Sequence, residues 1–428
     1  MKLSILVLHN LGDPLSWRQT MVEKELCLPL FAPDHNYVIH DSELPLPQYV
    51  KDIQFDAIIL TQTFLSKRAD PSRFLNTRNN YEFIKDSDAF KIALPQDDYT
   101  CCDILDNWMM DWNIDLVYTV CHNDWEILYK NYHSTGRLVQ GYTGYISNDL
   151  ISRGAIIKPL LDRTIDVSYR SSSLSPAFGM LGKIKTEIGD RFEAAAFGYN
   201  LNLDFSTKSS MTITGLDWYD FIENSKSMIG VNSGSSLLDP LGLINIKVYK
   251  YMMLNPKASY EEIESECFPH LDGKYVFTAI SPRNIECAIL NTAQILTPGQ
   301  YSNFIQPWEH YLPIEPDMSN LREVLSIFKN KEHLERLIKN CKDAILSFSA
   351  LRYENHVSDL LEQIASGSKL TNYQRDSARS LILKYRLEVG KKSDNYWVKK
   401  RLKLKLNKVL INIGARKMKY YLINSFQK

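Results

Sequence analysis

The sequence predicts an α/β protein of two Rossmann-like domains facing each other across a cleft, with a C-terminal helical extension. Three observations carry this expectation: continuous apolar strand segments, polar residues at their carboxyl ends, and a second series of the same kind downstream. The first series reads as strands at 2–10 (KLSILVLHN), 36–40 (NYVIH), 55–64 (FDAIILTQTF), 90–99 (FKIALPQDDY) and 114–122 (IDLVYTVCH). Their apolar residues run on instead of alternating, as in parallel strands covered by helices on both faces. Each ends in polar groups: His9 and Asn10, Thr61 and Gln62, Gln96 to Tyr99, Cys121 and His122. In an open parallel sheet such ends line the ligand crevice. This unit takes in residues 1–155.

The second unit, 156–330, opens on a strand at 164–170 (TIDVSYR) and a helix at 179–196. A strand at 201–205, a helix at 216–226 and a strand running into a Gly/Ser-rich turn at 227–242 follow. A helix at 259–268 precedes the stretch SPRNIECAILNTAQILTPGQY (281–301), which reads as a helix and then a strand. A short strand at 310–317 and a helix at 320–328 close the unit. From 331 to 370, Leu334, Leu337, Ile338, Cys341, Ile345 and Leu346 recur at three- and four-residue steps, giving helices able to cross back. The segment SGSK (366–369) is the expected break. The tail, 371–428, places Val398, Leu402, Leu406, Val409, Leu410 and Ile413 on one helical face with lysines around it.

Composition narrows the function classes. The chain has 428 residues, 44% hydrophobic and 23% charged, long enough to bury sizeable cores without disulfides or metals. Its seven cysteines are odd in number and lack C-x-x-C spacing, which predicts reduced thiols in a cytosolic protein. The start, MKLSILVLHNLGDP, reads as a buried first strand and not as a signal peptide, because its apolar run ends at Leu8 without a cleavage site. No run reaches the length of a spanning helix. Net charge is zero, but residues 391–428 hold twelve Lys or Arg against one acid, Asp394. Such asymmetry predicts an anionic partner for the tail, either a membrane surface or a docking site on protein.

The chemistry-bearing residues sit at strand ends and helix starts. Glu286 in the 281–301 stretch has two readings: a carboxylate complementing the positive end of its helix, worth roughly 0.3–1 kcal/mol, or a ligand contact. A carboxylate can accept two hydrogen bonds from a vicinal diol, which suits it to the second role. Arg170 follows the first strand of the second unit, Lys183 and Lys185 open the next helix, and Arg283 stands near a helix N-terminus. Each is a candidate phosphate partner or a solvated surface cation. NSGSS (232–236), with Ser235, can present backbone N–H groups to a phosphate or form a simple turn. It lacks the P-loop lysine, and no G-x-G-x-x-G follows the first strand, so kinase-like and NAD-binding sites lose support. Asp97, Asp98 and His122 end strands of the first unit, where each can act as a general base or cap a helix. Neither H-E-x-x-H nor a D-x-D near a strand end is present, and no metal is expected.

Two Rossmann-like units followed by a helix crossing back resemble a GT-B glycosyltransferase. Residues 281–320 are similar to the donor half of bacterial polysaccharide glycosyltransferases of the broad retaining class, group 1 or family 4. There an acid opens a helix as E-A-x-A-x-G-x-P, ahead of a strand, a Gly turn and a second strand. Glu286 to Ala293, the strand QIL and the turn Pro298–Gly299 hold the equivalent places, with Asp317 beyond. The chain departs from that pattern at Thr278, where the family has a second Glu, and at Ser281–Pro282–Arg283, which replaces a Gly-rich turn.

The resemblance implies that Glu286 binds a donor ribose, that Arg170, Arg283, Lys183 and Ser235 hold its phosphates, and that Asp98 or His122 serves the acceptor. It implies transfer of a sugar, from a nucleotide or other phosphate-bearing donor, to a glycan or lipid-linked acceptor in cell-surface polysaccharide synthesis. No cofactor and no nucleic acid are expected, and the place of action is the cytoplasm, at the inner face of the membrane if the tail anchors there. Two rivals stay open: a sugar-nucleotide epimerase of the same fold, and a non-catalytic binding subunit of a polysaccharide assembly complex.

Overall fold

A computed structural model describes residues 1–412, leaving aside the side chains of 390–392, 394 and 404–412. The first sheet contains β1 (Ser4–His9), β2 (Asn36–Asp41), β3 (Ala57–Leu60), β4 (Phe90–Ala93), β5 (Leu116–Thr119) and β6 (Leu138–Gln140). All pair in parallel, in the order β2-β1-β3-β4-β5-β6. The second comprises β7 (Ile165–Arg170), β8 (Leu203–Ser206), β9 (Ser225–Gly230), β12 (Ala293–Leu296) and β13 (Leu312–Pro313), in the order β13-β12-β9-β7-β8. Between them in sequence, β10 (Ser233–Ser235) and β11 (Phe277–Ala279) form a separate antiparallel pair.

Strand order reverses between β1 and β3 in one sheet and between β7 and β9 in the other, and a crevice opens where it reverses. The central strands β1, β3 and β5 are buried at every residue, which is why their sequence shows no alternation. Two of the elements that escaped the sequence reading show why. Strand β6 is three half-buried residues long, too short to show a pattern. Helix Leu243–Leu254 is apolar nearly all round, so it has no amphipathic period to detect.

Crossing helices join the two halves. Helix Lys331–Ser347 buries Cys341 and Ile345 against Cys287 and Ala288 in the second half. Helix Tyr353–Gly367 then places Tyr353, Val357, Leu360 and Ile364 in one cluster with Leu3, Ile5 and Tyr37 of the first. Burying each aliphatic member stabilises that crossing by roughly 1.5–3 kcal/mol.

The last helix, Asn372–Asn412, runs along the first half, burying Ala378, Ile382 and Tyr385 in its main core. Arg375 pairs at 2.8 Å with Asp56, which is fully buried, and Arg386 donates to the Tyr37 carbonyl at 3.2 Å. Trp397 is buried against Gly12, while Lys400 reaches Glu43 at 3.1 Å. The part of the expected tail from 371 to 401 is therefore docked on protein. Val398 and Leu402 stay exposed; the side chains of Leu406, Val409 and Leu410, and Ile413 altogether, lie outside the described residues.

All seven cysteines are buried and unbridged. Among the described residues, no helix is long and apolar enough to cross a membrane.

Candidate active site in the cleft

Both switch points open on a cavity of about 530 Å³ lying between the two halves. Gln62 and Thr63 follow β3, Gln96 and Asp97 follow β4, and Arg170 ends β7. Among the charged residues lining it, five are cations, Arg18, Arg170, Lys185, Lys208 and Arg283, and two are acids, Asp97 and Glu286. Like charges gathered in one crevice repel unless an anion joins them, so this wall is built for negative charge.

Arg170 is held at the far end of its guanidinium. Its guanidinium donates to the carbonyls of Tyr169 (3.0 Å) and Asp204 (2.9 Å) and pairs with the Asp204 carboxylate at 2.6 Å. The Phe221 ring lies 4.6 Å beneath it. Its Nε is buried with no partner.

Arg283 is delivered by helix Pro282–Ile289, which starts on a reciprocal cap between Ser281 and Asn284, with Pro282 in the first turn. It donates to the Arg170 carbonyl and sits 5.6 Å from the rings of both Tyr169 and Trp218. Its Nε is also buried and unpartnered. An unpaired buried donor costs about 1–3 kcal/mol, so two of them side by side mark a place for a ligand's acceptor atoms.

Glu286 lies one turn further along the same helix and is only 3% exposed. One oxygen accepts from Trp218 Nε1 at 2.7 Å; the other is buried with no donor. Burial pushes its pKa up to about 7, against the pull of Trp218 and Arg283 and aided by the nearby charge of Glu23. Lys185 is pushed down to about 8, first by burial and then by the adjacent Arg283.

The structure thus brings Arg170, Arg283 and Glu286 to one wall, and leaves four other sequence candidates outside it. Lys183 pairs with Glu261 over the Tyr260 ring, whereas Lys185 faces the cavity. Two positions along a helix turn the side chain about 200°, so the two lysines cannot share a face. Ser235 lies in β10 with its hydroxyl bonded to Leu237 and the Phe178 carbonyl, and β10 pairs with β11. NSGSS is one arm of a β-pair, not a phosphate nest.

Asp98 is fully buried in the first half, accepting from the hydroxyls of Thr119 and Tyr129, both at 2.6 Å. Burial raises its pKa, and it does not line the cavity. Its neighbour Asp97 does, in a left-handed backbone conformation (φ 53°). His122 meets Gln140 at 3.2 Å and is likewise absent from the lining; burial lowers its pKa. Thr278 is buried in β11 opposite Gly234.

Sequence reasoning missed Arg18, Lys208 and Trp218. The first two sit in irregular segments with no motif around them. Trp218 carried a usable signal, a lone tryptophan on a short helix facing the sheet end. Among the described residues, no group of three or more His, Cys, Asp or Glu is arranged to hold a metal ion.

No protein-family model matches this sequence, and no curated protein matches it at the sequence level. Solved structures do match in fold. Sucrose-phosphate synthase from Thermosynechococcus elongatus is similar over 86% of this chain and 100% of its own, at 11% identity and a TM-score of 0.50. An alpha-glucosyltransferase in complex with UDP and a 13-mer DNA is similar over 85% and 100%, at 10% identity and a TM-score of 0.50. Anabaena Alr3699/HepE in complex with UDP-glucose covers 84% and 99%, at 10% identity and a TM-score of 0.48. The fold is GT-B: two parallel Rossmann-like sheets across a cleft, with C-terminal helices.

Proposed function

We propose that this protein is a glycosyltransferase that moves a sugar from a nucleotide-sugar donor to a glycan or lipid-linked acceptor, in the assembly of cell-surface polysaccharide. The second half is the donor side and the first half the acceptor side. The observation that carries the reading is the pair of buried, unpartnered guanidinium Nε atoms of Arg170 and Arg283 beside a buried, half-satisfied Glu286. A diphosphate supplies acceptors for the two arginines and for Lys185. A ribose diol supplies donors for the free oxygen of Glu286, one helical turn away. One structure of the same fold is in complex with UDP, which supports a uridine nucleotide as the first donor to try.

Catalysis then rests on cations that stabilise charge on the departing phosphate, and on orientation between the two halves. Asp97 is the carboxylate on the acceptor side of the cavity, held by the Tyr99 hydroxyl at 2.7 Å, and replaces Asp98 as the acceptor-side group. The basic end of the last helix, with Val398 and Leu402 exposed beside Lys399 and Lys403, favours approach to an anionic membrane surface.

Calorimetric titration with UDP and UDP-glucose tests the donor site. Binding by the wild type, and at least about tenfold weaker binding by Arg283→Ala, is expected. Failure of every nucleoside diphosphate to bind refutes it. Turnover of donor to an isomer without acceptor would favour the epimerase instead.

A further inference from the structure

We infer that helix Leu243–Leu254 is a membrane-contacting element: its outer face lies on the surface of an anionic phospholipid bilayer. The helix belongs to an excursion between β10 and β11, folded around its own small core of Leu237, Val248, Ile263 and Phe268. Nine of its twelve residues are apolar or aromatic, yet only Val248 is buried. Leu243, Ile246, Tyr249 and Met253 lie on one side at three- and four-residue steps and are 61%, 38%, 65% and 67% exposed. Leu254 beside them is 82% exposed. A stripe of this kind in water forfeits what its burial would contribute, and a bilayer interface is a surface that covers it without a matching partner.

Charge selects that occupant. The helix has two exposed lysines, Lys247 and Lys250, and no acid. Of the four acids of the next helix, Tyr260–Cys267, Glu262 and Glu266 act on Tyr251, which is turned away from the stripe, and Glu261 pairs with Lys183. A basic, apolar face with a tyrosine at its edge matches the headgroup region of an anionic bilayer.

The face also continues across the molecule. A groove of about 460 Å³ separates Leu241 and Ile246 from Phe74 and Leu75 of helix Pro71–Asn80, and its charged lining is Arg68 and Arg78 with one acid, Glu82. Leu75 is 61% exposed. On the other side of that helix, Arg73 pairs with Glu43, which also receives Lys400 of the last helix. Lys400 of the last helix is thus tied, through Glu43, to the opposite side of the helix that carries Leu75. The loop 96–101 lines the cleft at Gln96 and Asp97 and this groove at Cys101. A bilayer under the groove would therefore lie beside the acceptor side of the cleft.

The inference does not rest on sugar transfer, and its test reads membrane binding alone. Full-length protein is sedimented with vesicles of phosphatidylglycerol and phosphatidylcholine mixed about 3:7, and with phosphatidylcholine alone. Binding to the anionic vesicles is expected, with Ile246→Asp and Met253→Asp each lowering it about tenfold, the factor one buried aliphatic side chain is worth. Because every native cysteine is buried, Met253→Cys offers one accessible thiol for an environment-sensitive fluorophore. Its emission should shift to the blue on binding. A label that stays in water, or an Ile246→Asp protein that binds like wild type, overturns the proposal and leaves the tail as the anchor. A wild-type dimer that Ile246→Asp makes monomeric also overturns it, because a second copy would then cover the face.

Discussion

The two halves are built on one plan and place their buried charges differently with respect to the cleft. At the carboxyl ends of the first sheet, the buried charges Asp98, Arg68 and Lys24 lie off the cavity and are held by protein. Asp98 accepts from two hydroxyls on Oδ2, though its buried Oδ1 has no partner, and Arg68 donates to the carbonyls of Leu65, Gln96, Asp97 and Thr100. Lys24 reaches Gln96 at 3.0 Å. At the matching ends of the second sheet, Arg170, Arg283 and Glu286 each keep a buried atom without a partner. The difference teaches where to look in a doubled fold: an orphaned buried atom marks the ligand only where its side chain also lines the cavity, as Arg170, Arg283 and Glu286 do and Asp98 does not.

Substitutions on the two sides should therefore fail differently. The largest effect belongs to Arg283→Ala, expected to lower turnover about 10²–10³-fold while the circular dichroism spectrum and melting temperature barely move. If it unfolds the protein instead, Arg283 belongs with the scaffold charges and the contrast collapses. Asp98→Ala should do the reverse, destabilising the fold by about 2–4 kcal/mol in urea denaturation by stranding the Thr119 and Tyr129 hydroxyls. Activity per folded molecule should persist, whereas Asp97→Asn should abolish transfer and keep donor binding.

Glu286→Gln sharpens the comparison through pH. The folded-state pKa of about 7 lies above the ordinary 4.5, so the folded protein holds this proton more tightly than the unfolded chain. Stability from this group is present in full below pH 4.5 and is lost as pH rises to about 7. Glu286→Gln should match wild type near pH 4.5 and exceed it by about 2–3 kcal/mol at pH 8, measured by denaturation across pH. Donor affinity should rise through pH 7 in the wild type, as the carboxylate ionises, and lose that step in the variant. The smallest effect is expected from Lys183→Ala, which breaks one pair with the exposed Glu261: at most about 1 kcal/mol in stability and no change in donor affinity.

Much of this could be read without coordinates, and the reasons are local. Uninterrupted apolar runs at β1, β3, β4 and β5 reflect burial on both faces, a property each segment carries in its own composition. The start of helix Pro282–Ile289 is written in Ser281, Pro282 and Asn284, three residues in contact with one another. The amphipathic helices Leu321–Phe328 and Lys331–Ser347 follow from period alone. Helix Leu243–Leu254 has no such period because two surfaces compete for it, one packed on its neighbour and one apolar and exposed.

The sequence by itself determined the doubled α/β plan, the crossing helices and the candidacy of Arg170, Arg283 and Glu286, since strand ends and helix starts are fixed by neighbours in the chain. Tertiary structure alone decided which of two adjacent groups faces the cleft. Asp97 lines the cavity and Asp98 does not, and Lys185 was separated from Lys183 by the rotation of a helix. It also docked residues 372–401 on the first half, through contacts such as Arg375 with Asp56 that span 319 positions. Side-chain direction and long-range pairing depend on atoms far away in the chain, and no short stretch of sequence contains them.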